Sequence, residues 1–248
     1  MAGHSKWANI QHRKGRQDAK KAKFFTKAAK DIILAAKAGG GNPEDNSGLR
    51  LAILKAKAVN LPKDKIDNAI KKGTGEIAGG DIMEVNYEGY APGGVALLIE
   101  VATDNKNRVV AEVRHALGKS GGNMAEAGAV SWMFDKKGQI TFEESKYSED
   151  AIMEIGLEVG AEDIATEDGI ITVTTDPSDY MAVHQAFADA GMEATESEVT
   201  YVAQNLIEVD LDAAKKIFKL VDTLEENDDV SRVHMNADFS DEVLAGLE

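Results

Sequence analysis

The sequence of 248 residues predicts an α+β protein. Apolar residues recur at helical spacing as far as about residue 73. Beyond a glycine-rich linker at residues 73–80, β-rich runs alternate with shorter helical stretches. From residue 139 to residue 203 the predicted order is strand, helix, strand, strand, helix, strand, which is the ferredoxin-like plan. We therefore expect an N-terminal three-helix domain followed by two ferredoxin-like α/β domains.

Three helices are predicted in the N-terminal part. The first begins near Asp18 and ends at the glycines of positions 39–41. The second covers about residues 47–59, and the third runs from Pro62, a residue suited to the start of a helix, to Gly73. The face of the first helix that is expected to point inward consists of Phe25, Ala29, Ile32, Ile33 and Ala36.

The middle of the chain changes to strand patterns. Two β-rich runs surround Pro92-Gly93-Gly94, which is a hairpin signal. Asp104 or Asn105 can cap a helix at residues 106–118. The stretches AVSWMF and GQITFEE are predicted as two separate strands that flank Lys136-Lys137-Gly138.

The C-terminal part is predicted to return to the middle domain. After the ferredoxin-like segment, a helix at 211–225 leads to a strand at 230–236, and both could complete the sheet that begins near residue 83. The last domain is therefore expected as an insertion, although three domains in a row is the alternative. The expected boundaries are 1–77 for a basic helical domain, 78–136 plus 205–248 for the middle α/β domain, and 137–204 for the inserted α/β domain.

Charge is divided unevenly along the chain. Residues 1–75 contain 17 Lys and Arg against 6 Asp and Glu, a net of +11, whereas residues 76–248 contain 11 against 37, a net of −26. A basic end on an acidic body is typical of a polyanion-binding protein. The alternative is that lysines cover the solvent face of a helical domain.

The sequence lacks the common catalytic and metal-binding patterns. It has no GxxxxGK or GxSxG motif, its five His residues do not follow a HExxH spacing, and it contains no Cys. No apolar run approaches the roughly 18 residues that span a membrane. We expect a cytoplasmic, non-enzymatic protein with no cofactor, metal, small-molecule substrate or membrane partner, and an enzyme remains a third class.

The basic segment near the N-terminus is the strongest site signal. Its lysines and arginines could neutralise phosphates, and Trp7 could stack on an unpaired base. The alternative for Trp7 is a hydrophobic contact with the helical bundle. Composition alone does not distinguish DNA from RNA. The candidate nucleic-acid-binding residues are Lys6, Trp7, His12, Arg13, Lys14, Arg16, Lys20, Lys21, Lys23 and Lys27.

Four stretches resemble one known family. They are the opening MAGHSKWANIQHRKGRQDAKKAKFFTKAAKDIILAAKAGGGNP, then NLPKDKIDNAIKKGTG, YEGYAPGGVALLIEVATDNKNRVVAEVRHALGKSGGNM and GAVSWMFDKKGQI. They are similar to the YebC family, which includes a mitochondrial activator of cytochrome oxidase translation. The likeness runs nearly from end to end.

The resemblance implies a cytosolic, three-domain, non-enzymatic protein. Members have been described as DNA-binding transcriptional regulators and as translation factors that act on ribosomes stalled at proline runs. Carried over, the nucleic-acid contacts fall on the basic segment. The resemblance gives no role to the stretches from Tyr87 to Gly94 and from Asp104 to Arg108. The acidic body would be repelled by a long duplex, so charge favours RNA while the family description favours DNA.

Overall fold

The structure is a computed structural model, and it describes residues 17–79 and 81–247, with side chains from Ala22 onward. The helices are α1 (Gln17–Gly39), α2 (Ser47–Ala58), α3 (Lys63–Gly73), α4 (Lys106–Lys119), α5 (Glu149–Glu158), α6 (Tyr180–Asp189), α7 (Leu211–Glu225) and α8 (Asp241–Ala245). The strands are β1 (Met83–Tyr90), β2 (Ala96–Thr103), β3 (Asn123–Met124), β4 (Phe134–Glu143), β5 (Ala161–Glu167), β6 (Ile170–Thr175), β7 (Glu196–Ala203), β8 (Ile207–Glu208), β9 (Val230–Met235) and β10 (Ala237–Asp238). Short 3-10 turns cover Pro92–Gly94 and Ser131–Met133.

The first three helices share one apolar core. Their inward faces repeat at helical spacing, and residues such as Ile32, Leu49 and Ile66 are almost completely buried. Asn46 fixes the turn between α1 and α2, because its side-chain oxygen accepts from the Leu49 amide and its side-chain nitrogen donates to the Ala35 and Gly40 carbonyls.

Helices α1 and α3 run parallel to each other. At the start of α3, the Lys65 ammonium lies 5.6 Å from the centre of the Phe25 ring in α1. At its end, a Cβ on Gly73 would lie 2.5 Å from the Ile33 carbonyl oxygen and 2.7 Å from the Ala36 Cβ. The beginnings of the two helices therefore lie at the same end of the bundle.

The middle sheet has the strand order β3-β1-β2-β9, and its neighbouring strands are antiparallel. Helices α4 and α7 cover one of its faces, because their apolar residues join one core with alternate residues of β2 and β9. Strands β8 and β10 form a separate parallel pair. Of the two cap candidates predicted for α4, Asn105 makes the cap, and Asp210 caps α7.

The chain divides into two compact units. One comprises the described residues up to Trp132 and again from Asn205, and the other comprises Met133–Gln204. In the second unit, helices α5 and α6 accompany an antiparallel sheet of order β5-β6-β4-β7, which is the ferredoxin-like arrangement. The predicted α+β fold, with helices first and sheets after them, is confirmed, and the three-domain boundaries stay a prediction.

One strand prediction is wrong. Residues 129–134 were expected as a strand of the middle sheet, but only Phe134 is in a strand, and Ser131–Met133 is a 3-10 turn. The expected break at Lys136-Lys137-Gly138 is absent, because β4 continues through it and pairs with β7 from Phe134 onward. Strand β3, which the periodicity did not predict, pairs with β1 instead.

Gly138 allows close packing inside the second unit. A Cβ at this position would lie 2.7 Å from a ring carbon of Tyr180, which is fully buried. We therefore expect Gly138→Ala to lower the free energy of unfolding by about 1–3 kcal/mol through overpacking. Gly118→Ala in α4 is the matched control, since a Cβ there meets no atom within 4 Å, and it should raise stability by up to about 1 kcal/mol. Urea unfolding measures both, and equal effects would contradict this packing role.

Candidate nucleic-acid interface

The structure gives side-chain positions for two of the ten predicted binding residues. Lys20 and Lys21 belong to the first turns of α1, but their side chains lie outside the described part. Lys23 and Lys27 are described, and the remaining six candidates lie outside the described residues: Lys6, Trp7, His12, Arg13, Lys14 and Arg16.

Lys23 and Lys27 contact the C-terminal end of α7. The Lys23 ammonium donates to the Glu226 carbonyl oxygen at 2.8 Å, and the Lys27 ammonium donates to the Glu225 carbonyl oxygen at 2.9 Å. Carbonyls at the end of a helix point out of it, and a cation at a helix C-terminus is favoured by the helix dipole. Both lysines thus hold α1 against the middle part of the protein.

Burial changes the acid–base properties of this contact. Removal from water lowers the pKa of Lys27, and the neighbouring Lys23 adds to the lowering, while Glu225 opposes it. One turn further along α1, burial raises the pKa of Asp31. A lysine with a lowered pKa and little contact with water is poorly placed to neutralise a phosphate of an external ligand.

Asp229 is the centre of the contact between α1 and the α/β part. One of its oxygens lies 2.5 Å from the Lys30 ammonium, and the other lies 2.6 Å from the Arg108 guanidinium and 3.1 Å from the Thr103 hydroxyl. Lys30 also donates to the Ala102 and Asp228 carbonyls. The carboxylate thereby joins α1, the end of β2, the start of α4 and the segment before β9.

The partners of Asp229 favour its ionised form. Burial opposes ionisation, but hydrogen bonds from Arg108, Lys30 and Thr103, together with the charge of Lys30, outweigh it and lower the pKa of Asp229. The side chains of Asp229 and Lys30 are only 11% and 14% exposed, so the pair is largely protected from water and salt.

The Asp104 to Arg108 stretch therefore has a structural role. Asn105 caps α4 by accepting from the Arg108 amide, and Arg108 connects Asp104 at 3.0 Å to Asp229. In the same region, Glu112 accepts a hydrogen bond from the side-chain amide of Asn227. The stretch holds the loop that carries Asp229 in place.

The Tyr87 to Gly94 stretch organises a second loop. Glu88 is 6% exposed, and its carboxylate accepts from the amides of Gly128, Val130 and Ser131 at 2.6–2.9 Å. Burial raises its pKa, but these backbone hydrogen bonds dominate, so the pKa of Glu88 is lowered. Gly94 ends the stretch with a φ of 77°, a left-handed conformation that favours glycine.

A cleft of about 810 Å³ lies between α1, α4 and the loop before β9. Its walls carry both signs of charge, and Lys23, Lys30, Arg108 and Asp229 already contact groups of the protein itself. Within the described residues, no group of three His, Asp or Glu could hold a metal ion. The cleft thus borders the contact between α1 and the α/β part.

The sequence analysis missed Lys30 and Asp229. Lys23, Lys27 and Lys30 follow each other at spacings of four and three residues, which places them on one face of α1. That spacing indicated that one face of α1 could pack against another part of the protein. The partners of the three lysines lie about 200 residues away and could not be identified from the sequence.

Comparison with known proteins identifies the family. Residues 5–76 match the TACO1/YebC protein N-terminal domain, and residues 82–237 match the TACO1/YebC second and third domain. The chain belongs to the TACO1/YebC family. The YebC resemblance is thereby confirmed.

Individual relatives cover the whole chain. A "probable transcriptional regulatory protein" of Maridesulfovibrio salexigens is 66% identical over all of both chains, and one of Solidesulfovibrio magneticus is 57% identical over 98% of this chain and all of the relative. The crystal structure of a conserved hypothetical protein from Aquifex aeolicus is 40% identical, with a TM-score of 0.82 over 92% of this chain and 94% of that one. Among the described residues, no helix is long and apolar enough to cross a membrane.

The contact at Asp229 should contribute strongly to stability. Asp229→Ala would leave Lys30 buried without its carboxylate, so we expect a loss of about 3–5 kcal/mol in the free energy of unfolding. Asp104→Ala removes the exposed partner of Arg108 and should cost less than about 1 kcal/mol. Chemical denaturation tests both, and similar losses would show that Asp229 is not central.

The contribution of Asp229 should depend on pH. Because its folded pKa is lowered, its ionic stabilisation is fully present above the unfolded pKa of about 3.9 and is lost as pH falls through the lower folded value. The stability difference between the wild type and Asp229→Asn should therefore be greatest near neutral pH and shrink below about pH 4. A difference that grows on acidification would contradict this assignment.

Proposed function

We propose that this protein is a non-enzymatic, nucleic-acid-binding regulator of gene expression. The observation that carries the proposal is the internal use of Lys23, Lys27 and Lys30, which contact the end of α7 and Asp229. These contacts support a division of the lysines of α1 into two roles. Those from Lys23 onward anchor the helix, and the basic residues before it are left to bind an external polyanion.

The charge of residues 1–21 fits this role. The segment contains six Lys and Arg and one acidic residue, and it ends in the first turns of α1. Phosphate neutralisation by such a segment releases counterions and gives affinity with little dependence on nucleotide sequence. We therefore assign the polyanion contact to Lys6, Arg13, Lys14, Arg16, Lys20 and Lys21, with Trp7 and His12 beside them.

Transcription is the first form of this function. Relatives that are 66% and 57% identical bear the name "probable transcriptional regulatory protein", and the family models match both the helical part and the α/β part. In this form the three-domain protein acts in the cytoplasm and binds duplex DNA.

Translation is the second form, and the charge distribution favours it. Residues 76–248 carry a net charge of −26, which would be repelled by a long duplex passing beside the body. A basic segment inserted into folded RNA leaves that body away from most phosphates. In this form the protein binds ribosomes and relieves stalled elongation.

One preparation at one salt concentration separates the two forms. Binding to a particular duplex about a thousandfold more tightly than to random duplex, without sedimentation with ribosomes, supports transcription. Sedimentation with ribosomes, with only sequence-independent duplex binding, supports translation. In that case Trp7→Ala should weaken the association more than Lys6→Ala does, because stacking contributes roughly 1–3 kcal/mol per base.

The salt dependence of binding tests the division of the lysines. Replacing Lys6, Arg13 and Lys14 with Gln should flatten the slope of log K against log salt by about 2 to 3 units, since each phosphate contact contributes about 0.7–0.9. Lys23→Gln and Lys27→Gln form the control, which should leave the slope unchanged and lower thermal stability instead. A flatter slope in the control alone would instead assign the polyanion contact to Lys23 and Lys27.

A further inference from the structure

The described part of the helical domain contains a second basic surface at one end of the bundle. Helices α2 and α3 with the turn between them, residues 47–73, contain seven Lys and Arg against two acidic residues, a net of +5. None of the anchoring lysines of α1 belongs to this segment. Its charge is therefore additional to that of residues 1–21.

Three of these lysines lie at the end of the bundle where α1 begins. Lys57 is in the last turn of α2, and Lys63 opens α3 after a tight turn in which the Asn60 amide donates to the Lys57 carbonyl. Lys65 lies over the Phe25 ring of α1. Because α1 and α3 are parallel, this end of the bundle also carries the first turns of α1.

These lysines are available for an external ligand. Lys57, Lys63 and Lys65 are exposed, and across residues 22–79 and 81–247 no carboxylate lies within ion-pair distance of them. In contrast, Lys23, Lys27 and Lys30 are half-buried and contact groups of the protein itself. This end of the bundle therefore carries lysines that are not paired with a carboxylate among the described residues.

An exposed aromatic ring lies at the same end. Phe24 is 50% exposed, whereas the next residue, Phe25, packs against the core of the bundle. An exposed phenyl ring on a helix at the same end as exposed lysines is suited to an unpaired base, since aromatic stacking and phosphate neutralisation together characterise single-strand binding. Duplex bases are stacked on each other and offer the ring no such face.

We propose that the bundle end, defined as Phe24, Lys57, Lys63 and Lys65, binds an unpaired stretch of nucleic acid, with phosphates on the lysines and one base on the Phe24 ring. The proposal rests on the proposed function and deepens it. Single-stranded RNA and single-stranded DNA share this chemistry.

The test uses the full-length protein and short unstructured RNA and DNA oligonucleotides, with a duplex as a third ligand. We expect Lys57→Gln/Lys63→Gln to flatten the salt slope for a single strand by about 1.4 units, at about 0.7 for each phosphate. Lys65 is not substituted in this variant, because its contact with the Phe25 ring also contributes to packing. The matched control is Lys71→Gln/Lys72→Gln at the other end of α3, which removes the same charge and should leave the slope unchanged.

A second pair of variants tests stacking. Phe24→Ala should weaken single-strand binding by about fivefold to a hundredfold and have little effect on duplex binding. Leu54→Ala is the control, since Leu54 is a similarly exposed apolar residue on α2, at 41%, and its loss should not matter. Circular dichroism melting confirms that each variant is folded. If Phe24→Ala loses more affinity for the RNA oligonucleotide than for the DNA oligonucleotide, the natural ligand is RNA, and the reverse result identifies DNA.

The outcomes separate this proposal from the proposed function. One outcome is that the wild type shows salt-dependent binding that is unchanged in both lysine pairs and in Phe24→Ala. That result overturns the proposed role of the bundle end and leaves residues 1–21 as the whole site. Equal losses in the two lysine pairs show an effect of net charge and also overturn it. Absence of any salt-dependent binding by the wild type overturns both proposals.

Discussion

The arrangement of the helical and α/β parts depends on the ion pairs of Asp229. Its carboxylate accepts from Lys30 of α1 and Arg108 of α4, and it also accepts a hydrogen bond from the Thr103 hydroxyl at the end of β2. A largely buried carboxylate is costly unless its lone pairs are satisfied, so these elements must approach it together. The position of α1 is consequently set by a charge that belongs to the opposite end of the chain.

The uneven charge of the sequence has a structural use beyond ligand binding. Four acidic residues lie between positions 225 and 229, directly where α7 ends and where the carbonyls of Glu225 and Glu226 accept from lysines. Lysines of α1 meet this negative region, and the two charge excesses partly compensate each other inside the protein. The number of basic residues in the first 75 therefore overstates the charge that remains for a nucleic acid.

Much of the fold could be predicted because it depends on local patterns. The helical period predicted α4 and α7 nearly to the residue, and Asn105, one of two predicted cap candidates, caps α4. The prediction of a strand at 129–134 was wrong because Glu88, 40 residues earlier, takes the loop amides as hydrogen-bond donors. A break between two strands was predicted at Lys136-Lys137-Gly138. Gly138 instead lies within a continuous strand, where its lack of a side chain lets Tyr180 pack closely against it.

The roles of the lysines were beyond prediction for a related reason. A lysine that neutralises a phosphate and a lysine that caps a distant helix look the same in sequence, and only the fold brings Lys23 to Glu226. Because α1 shares one apolar core with α2 and α3, the exposed lysines of α2 and α3 keep fixed positions relative to α1. The conformational entropy of ordering this part of the surface is lost on folding rather than on binding, which would favour tight association with the proposed polyanion. The contact with the body and the proposed basic surface thus both depend on one helix, which Lys23, Lys27 and Lys30 anchor to the segment 225–229.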